Sequence, residues 1–226
     1  GVGPGRPMMA YALRLTEDRF AGDASSTLAP LNRVLYVLSG EIVVTSEAAH
    51  PHVPAGTAWH GGKACAVRAS VHGATVLRYE LLHEAPASPD VSRVTSAVLL
   101  GHPIQLTPTE QYLMRCDRVD FAPGGAALPH RHKGGGIRCL IEGELEVRVG
   151  DLPGRLMRPG SAWFESGLEP VYAAASPELP TSFIRVSILP RSIKGLSSIM
   201  YVDPADARHG KPRSYTVYVD EPIEIP

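Results

Sequence analysis

His130 and His132 are separated by one residue, and on a β-strand that spacing sends both imidazoles from the same face, roughly 7 Å apart at their Cα atoms. Such a pair can share one metal ion, but two imidazoles alone hold a divalent ion poorly. A third donor is needed, and the apt type is a carboxylate that completes a two-histidine, one-carboxylate face. Glu165 and Glu169 are the nearest candidates. For Glu165, beside Trp163 and Phe164, three alternatives stand: it points outward, it pairs with Arg138, or it is the third ligand. Alternation carried from His132 through Gly136 puts Arg138 on the inward face, where a guanidinium needs a partner. That partner is either a protein carboxylate or the carboxylate or phosphate of a substrate, held with two-pronged geometry. The chemistry open to such a set is that of a metal acting as Lewis acid or binding O2, with Arg138 orienting an anion.

Local sequence supplies the elements that position these groups. Pro129 fixes the chain just before the pair, and Gly134, Gly135 and Gly136 permit a turn after it. No helix follows the glycines, so they do not form a phosphate-binding loop. Ile137 to Ile141 has the composition of a buried strand, Glu142-Gly143-Glu144 marks a tight turn, and Leu145 to Val149 returns with alternating apolar residues. The product is a hairpin with two histidines near its start.

This arrangement resembles the first motif of the cupin superfamily, G-x5-H-x-H-x3/4-E-x6-G, which supplies two histidines and a glutamate to a metal inside a small β-barrel. Gly124 or Gly125, His130, His132 and Gly143 match it, while the glutamate position falls on Gly136. The second motif, P-x-G followed by a histidine, resembles Arg158-Pro159-Gly160 onward, and its histidine position falls on Val171. No histidine occurs between His132 and His209. The resemblance also implies that Trp163-Phe164-Glu165-Ser166 lies on the wall that bears the metal. On that basis the expected ligands are His130, His132 and Glu165, with Glu169 or water as substitutes for the glutamate and Arg138 as the substrate contact. The implied ion is a divalent transition metal such as iron, manganese, zinc or nickel, and a barrel without metal is the alternative.

The chain also repeats itself. Arg33–Val44 lies over Gly136–Val147 with Gly40 on Gly143, Pro54-Ala-Gly-Thr-Ala-Trp59 over Pro159-Gly-Ser-Ala-Trp163 with one gap, and Leu77–Leu82 over Ile184–Leu189. No segment sustains a 3.6-residue apolar period. The expected fold is all-β, with two tandem cupin jelly-roll β-barrels: residues 8–86, a linker at 87–93, and 94–226 with a terminal strand free to complete the other barrel. In the first copy the histidine positions fall on Thr27 and Ala29, the glutamate on Arg33 and the last histidine on Val67, so that copy is expected to be scaffold. His50 and His52 sit in a proline-broken connection and are expected to be solvated. Both Trp residues are expected to fill structural positions.

With 226 residues and a net charge of -1, the chain has ample material for a core and lacks the basic field that nucleic acid or an anionic membrane would need. No apolar run approaches the roughly 20 residues of a bilayer span. Gly1 to Met9 has no apolar signal core, and Gly1-Val-Gly-Pro-Gly-Arg-Pro is expected to be an expression remnant or a loose end. Three widely spaced cysteines argue against a disulfide framework. The expectation is a cytoplasmic homodimer that takes a small-molecule ligand. The expected function is a metal site that acts on or binds a small acidic molecule, with dioxygenase or isomerase chemistry open to it, or else a non-catalytic ligand-binding or structural role without metal.

Overall fold

The computed structural model describes residues 10–47, 49–83, 93–209 and 213–226. The expected loose N-terminus and all but Arg93 of the expected linker lie outside the described residues. β-branched runs punctuated by glycine and proline form strands throughout. The first half comprises β1 (Tyr11–Phe20), β2 (Ser25–Leu28), β3 (Arg33–Thr45), β4 (His52–Pro54), β5 (Ala58–Gly61), β6 (Cys65–His83) and β7 (Val94–Ile104). These form one sheet in the order β4-β3-β6-β1-β7, with β2 added on β6 and β5 on β3. Register shifts at Val37/Ser39 and Gly40/Ile42 bend β3 and β6, which carry the sheet round on itself.

The second half comprises β8 (Tyr112–Phe121), β9 (Ala126–His132), β10 (Gly136–Glu142), β11 (Leu145–Val149), β12 (Arg155–Met157), β13 (Ala162–Glu165), β14 (Val171–Ala175), β15 (Thr181–Pro190), β16 (Ile199–Tyr201) and β17 (Arg213–Ile223). They build two five-stranded sheets, β13-β10-β15-β8-β17 and β12-β11-β14-β9-β16, packed around a common core. Among the described residues the helices are two short 3-10 turns, and none is long and apolar enough to cross a membrane. The architecture is all-β, two tandem jelly-roll barrels.

The repeat holds at the level of register. Trp59 pairs with Leu35 and Trp163 with Arg138, while Leu35 pairs with Arg78 and Arg138 with Arg185. Gly40 and Gly143 both turn their hairpins at positive φ, +71° and +75°, and a Cβ on Gly143 would lie 2.3 Å from the Pro180 carbonyl. Alternation along β10 then divides its side chains between two environments. Arg138 and Leu140 face the interior of the second barrel, while Ile137 and Cys139 enter a core shared with Leu13, Leu15, Leu77 and Tyr79 of the first. Each such aliphatic side chain contributes roughly 1.5–3 kcal/mol on burial, so the halves form one packed body. All three cysteines are free and buried; burial pushes the Cys139 thiol up to about 12.

Two boundary expectations are corrected. Val94–Ile104, put at the head of the second unit although its strand could belong to either barrel, pairs with β1 at the edge of the first sheet. The terminal strand β17 pairs with β8 of its own half and does not enter the other sheet. Proline and serine clusters mark surface connections, but only the open edges of β1 and β8 decide which sheet a following strand joins. Each outer strand nevertheless reaches across to the other half. His102 of β7 stacks on Phe164 with ring centroids 3.8 Å apart, and Tyr218 of β17 meets Tyr36 at 5.5 Å.

Candidate metal centre

β9 and β13 bring His130, His132 and Glu165 together inside the second barrel. Their ligand atoms all lie within 4.8 Å of one another, and each residue is buried. β9 alternates, so His130 and His132 face inward on either side of the exposed Arg131, with ring centroids 4.8 Å apart at 88°. The Nδ1 of His130 is 2.7 Å from the Leu128 carbonyl, which can only accept; Nδ1 therefore carries the proton and Nε2 keeps its lone pair. His132 Nδ1 is 3.1 Å from the Ser198 hydroxyl, leaving its Nε2 facing Glu165 Oε1 at 4.0 Å. Burial holds the pKa of His130 below the ordinary histidine value, and burial with the nearby Arg138 holds that of His132 well below it. Both rings are neutral near pH 7, the form that ligates.

Glu165 stands directly across the β10–β13 ladder from Gly136. The carboxylate of Glu165 therefore lies across the ladder from the position where the resembled motif has its glutamate. Gly136 itself has no room for a side chain, because a Cβ there would lie 2.5 Å from the Val186 carbonyl and 2.6 Å from the Ser187 hydroxyl. The two Glu165 oxygens have different duties. Oε2 accepts a hydrogen bond from Trp163 Nε1 at 2.8 Å and lies 3.0 Å from Arg138 Nε, while Oε1 faces the histidines. Glu169 is exposed and outside the cluster. Val171, at the position of the missing motif histidine, is buried opposite His130 and lines the cavity.

Of the two partners open to Arg138, the structure supplies the protein carboxylate. Its guanidinium is 1 % exposed, approaches Glu165 and donates to the Gly136 carbonyl at 2.9 Å. Burial pushes its pKa down to about 10, which leaves it charged at neutral pH. Nε approaches Glu165 as an ion pair with poor alignment for a hydrogen bond. The free space among these groups is about 20 Å³, room for one water-sized occupant.

Sequence reasoning missed Ser198, which touches His132, and Arg185, whose Nε and Nη2 bind both oxygens of Asp117 at 2.9 and 2.6 Å. The repeat held a signal for Arg185, because Arg78 occupies the same place in the first copy and pairs with Asp18 in the same way. Ser198 had none, since it comes from a loop before β16. In the first barrel, Arg33, aligned with Gly136, is fully buried and contacts Glu80 at 3.0 and 3.1 Å. Burial alone would raise the Glu80 pKa, but Arg78 and Arg33 overcome it and hold the carboxyl below its ordinary value. His50 and His52 are exposed, and His52 Nε2 meets Glu41 at 2.5 Å.

No protein-family model and no curated protein matches this sequence. Solved structures do match. A mutant of oxalate decarboxylase OxdC from Bacillus subtilis is 12 % identical with a TM-score of 0.65, covering 89 % of this chain and 78 % of that one. AerE from Microcystis aeruginosa is 14 % identical with a TM-score of 0.56, covering 79 % and 88 %. A cupin 2 conserved barrel domain protein from Leptotrichia buccalis is 12 % identical with a TM-score of 0.49, covering 81 % and 85 %. At such identities the likeness to the decarboxylase and to AerE is one of fold. The class that fold and site define is an all-β protein of jelly-roll barrels, the second with a buried His-His-Glu cluster that could hold a metal.

Proposed function

We propose that the second barrel holds one divalent transition metal on His130, His132 and Glu165 and presents it to a small acidic molecule. The observation that carries this reading is the cluster itself: three buried donors within 4.8 Å, two of them neutral imidazoles whose remote nitrogens are occupied by Leu128 and Ser198. An ion bound there would supply Lewis acidity and an open coordination position. The chain's own residues do the rest. Leu128 and Ser198 orient the imidazoles, Trp163 and Arg138 hold one oxygen of Glu165 so that the other faces the histidines, and Val171 with the surrounding apolar wall excludes bulk water. Iron, manganese, zinc and nickel all suit this nitrogen and oxygen set.

A second reading is favoured by one observation. Glu165 Oε2 is already compensated by Arg138 and Trp163, much as Arg33 compensates Glu80 in the first barrel. On that reading the cluster is a polar plug in a non-catalytic, ligand-binding or structural barrel. Calorimetric titration of chelator-treated protein with Mn(II), Fe(II), Zn(II) and Ni(II) separates the two. The metal reading expects saturation at one ion per chain, abolished in the His130→Ala, His132→Ala double variant; uptake that survives in the variant, or none in the parent, contradicts it.

A further inference from the structure

The space beside the histidines, about 20 Å³, admits nothing larger than water, so a substrate must be received outside it. A cleft of about 340 Å³ adjoins that space and shares His132, Arg185, Ile199 and Tyr215 with it. It lies where the two sheets part: β17 ends one sheet, β16 ends the other, and residues 195–199 close the gap. Its size is that of a small-molecule site.

The chemistry of its walls is mixed. Leu196, Ile199 and Val217 give it apolar surface, with Leu196 and Val217 exposed at 61 % and 54 %. Arg115 is tied to Asp220 at 2.9 and 3.2 Å and to two backbone carbonyls, and is therefore committed. Arg185 is not. Its Nε and Nη2 hold Asp117, while Nη1 makes no hydrogen bond among the described residues, and the side chain is 10 % exposed in the wall common to cleft and cavity. Taken together, the two spaces are lined by Arg115, Arg138, Arg185 and Arg213 against Asp117, Asp220 and Glu165, four guanidiniums against three carboxylates. The balance favours an anion.

We propose that this cleft is a binding site for a small monocarboxylate with a short apolar body, its carboxylate received by the free edge of Arg185 beside His132 and its body lying against Leu196 and Val217. The assignment gives the acidic ligand of the function proposed above a chemical class and rests on that reading only for the role of the metal. Arg185, held rigid by Asp117, is the specificity-determining residue. Because the contact comes from the protein, carboxylate binding does not require the ion.

Heteronuclear NMR titration of the full chain with hexanoate and with hexylammonium tests the proposal, and Val217→Trp fills the cleft without touching a charge. Hexanoate should bind saturably and hexylammonium should not. Val217→Trp should abolish saturation, and Arg185→Lys should weaken binding about tenfold, since the ammonium keeps the charge but loses the fork. Thr107→Trp, in the groove beside β7 that shares only His132 with the cleft, should leave binding unchanged. Equal binding of both probes, or hexanoate affinity untouched by Val217→Trp, overturns the proposal. The His130→Ala, His132→Ala variant distinguishes its failure from that of the metal reading. Hexanoate bound by that variant supports the cleft whatever its metal content, whereas hexanoate binding lost there with the fold intact places the carboxylate on the histidines and contradicts the role of Arg185.

Discussion

At the scale of single residues, the site turns on how Glu165 divides its two oxygens. If Oε1 is a ligand, Glu165→Gln should weaken metal binding by about tenfold or more, because a neutral amide oxygen replaces an anionic donor. If the carboxylate serves only Arg138, the same change should leave metal uptake where it was and lower the melting temperature instead, since a buried charge left alone costs about 3–5 kcal/mol. Paired titrations and melts on Glu165→Gln and Arg138→Lys distinguish the two. The histidines add a pH dependence whose sign follows from their lowered pKa values. Above about pH 6.5 both folded and unfolded rings are neutral and nothing is lost; as pH falls below that, the unfolded chain takes up protons that the folded chain resists. Stability should therefore decline below pH 6.5, and melts of the His130→Gln, His132→Gln variant should decline less over the same window. His-x-His and the carboxylate requirement were legible in the sequence. The division of labour within Glu165 was not, because it depends on a cross-strand neighbour that no spacing rule supplies.

At the scale of elements, β10 decides both the site and the interface between barrels. Its alternation sends Arg138 inward and Ile137 and Cys139 into the shared core, which the apolar run Ile137 to Ile141 could not reveal by itself. The motif that the sequence resembles has a glutamate at the position of Gly136, yet the close approach of β15 leaves no room for a side chain there. Gly136→Ala should cost on the order of 2 kcal/mol by forcing β10 from β15, with loss of metal following loss of strand geometry. A Gly136→Ala protein with parental stability would contradict this packing. Hairpin turns, the Trp positions and the repeat register were legible, because glycine at positive φ and large aromatic residues leave local marks. The assignments of β7 and β17 were not, since each carries apolar residues, Val98 and Val217 among them, that end exposed on an outer strand, so their pattern does not tell which sheet they join.

At the scale of the whole molecule, the two barrels share one apolar core and exchange contacts through their outer strands. Tyr79 of the first donates to the Ile184 carbonyl of the second at 3.2 Å, and Asn32 donates to the Glu224 carbonyl at 2.8 Å. Unfolding of the full chain should be a single transition, and separate melting of the halves in calorimetry would show that the shared core does not couple them. The duplication was visible in sequence, but the difference between the two interiors comes from their polar groups: both hold arginine–carboxylate pairs, and the second adds His130 and His132 beside Glu165. That asymmetry sets the stoichiometry. Elemental analysis of protein purified without chelator or metal-affinity tag should find one transition-metal ion per chain, and none after His130 and His132 are both replaced by Ala with the fold retained. Metal at two per chain, metal persisting in the double variant, or a fully folded parent that neither contains nor takes up an ion would contradict the account.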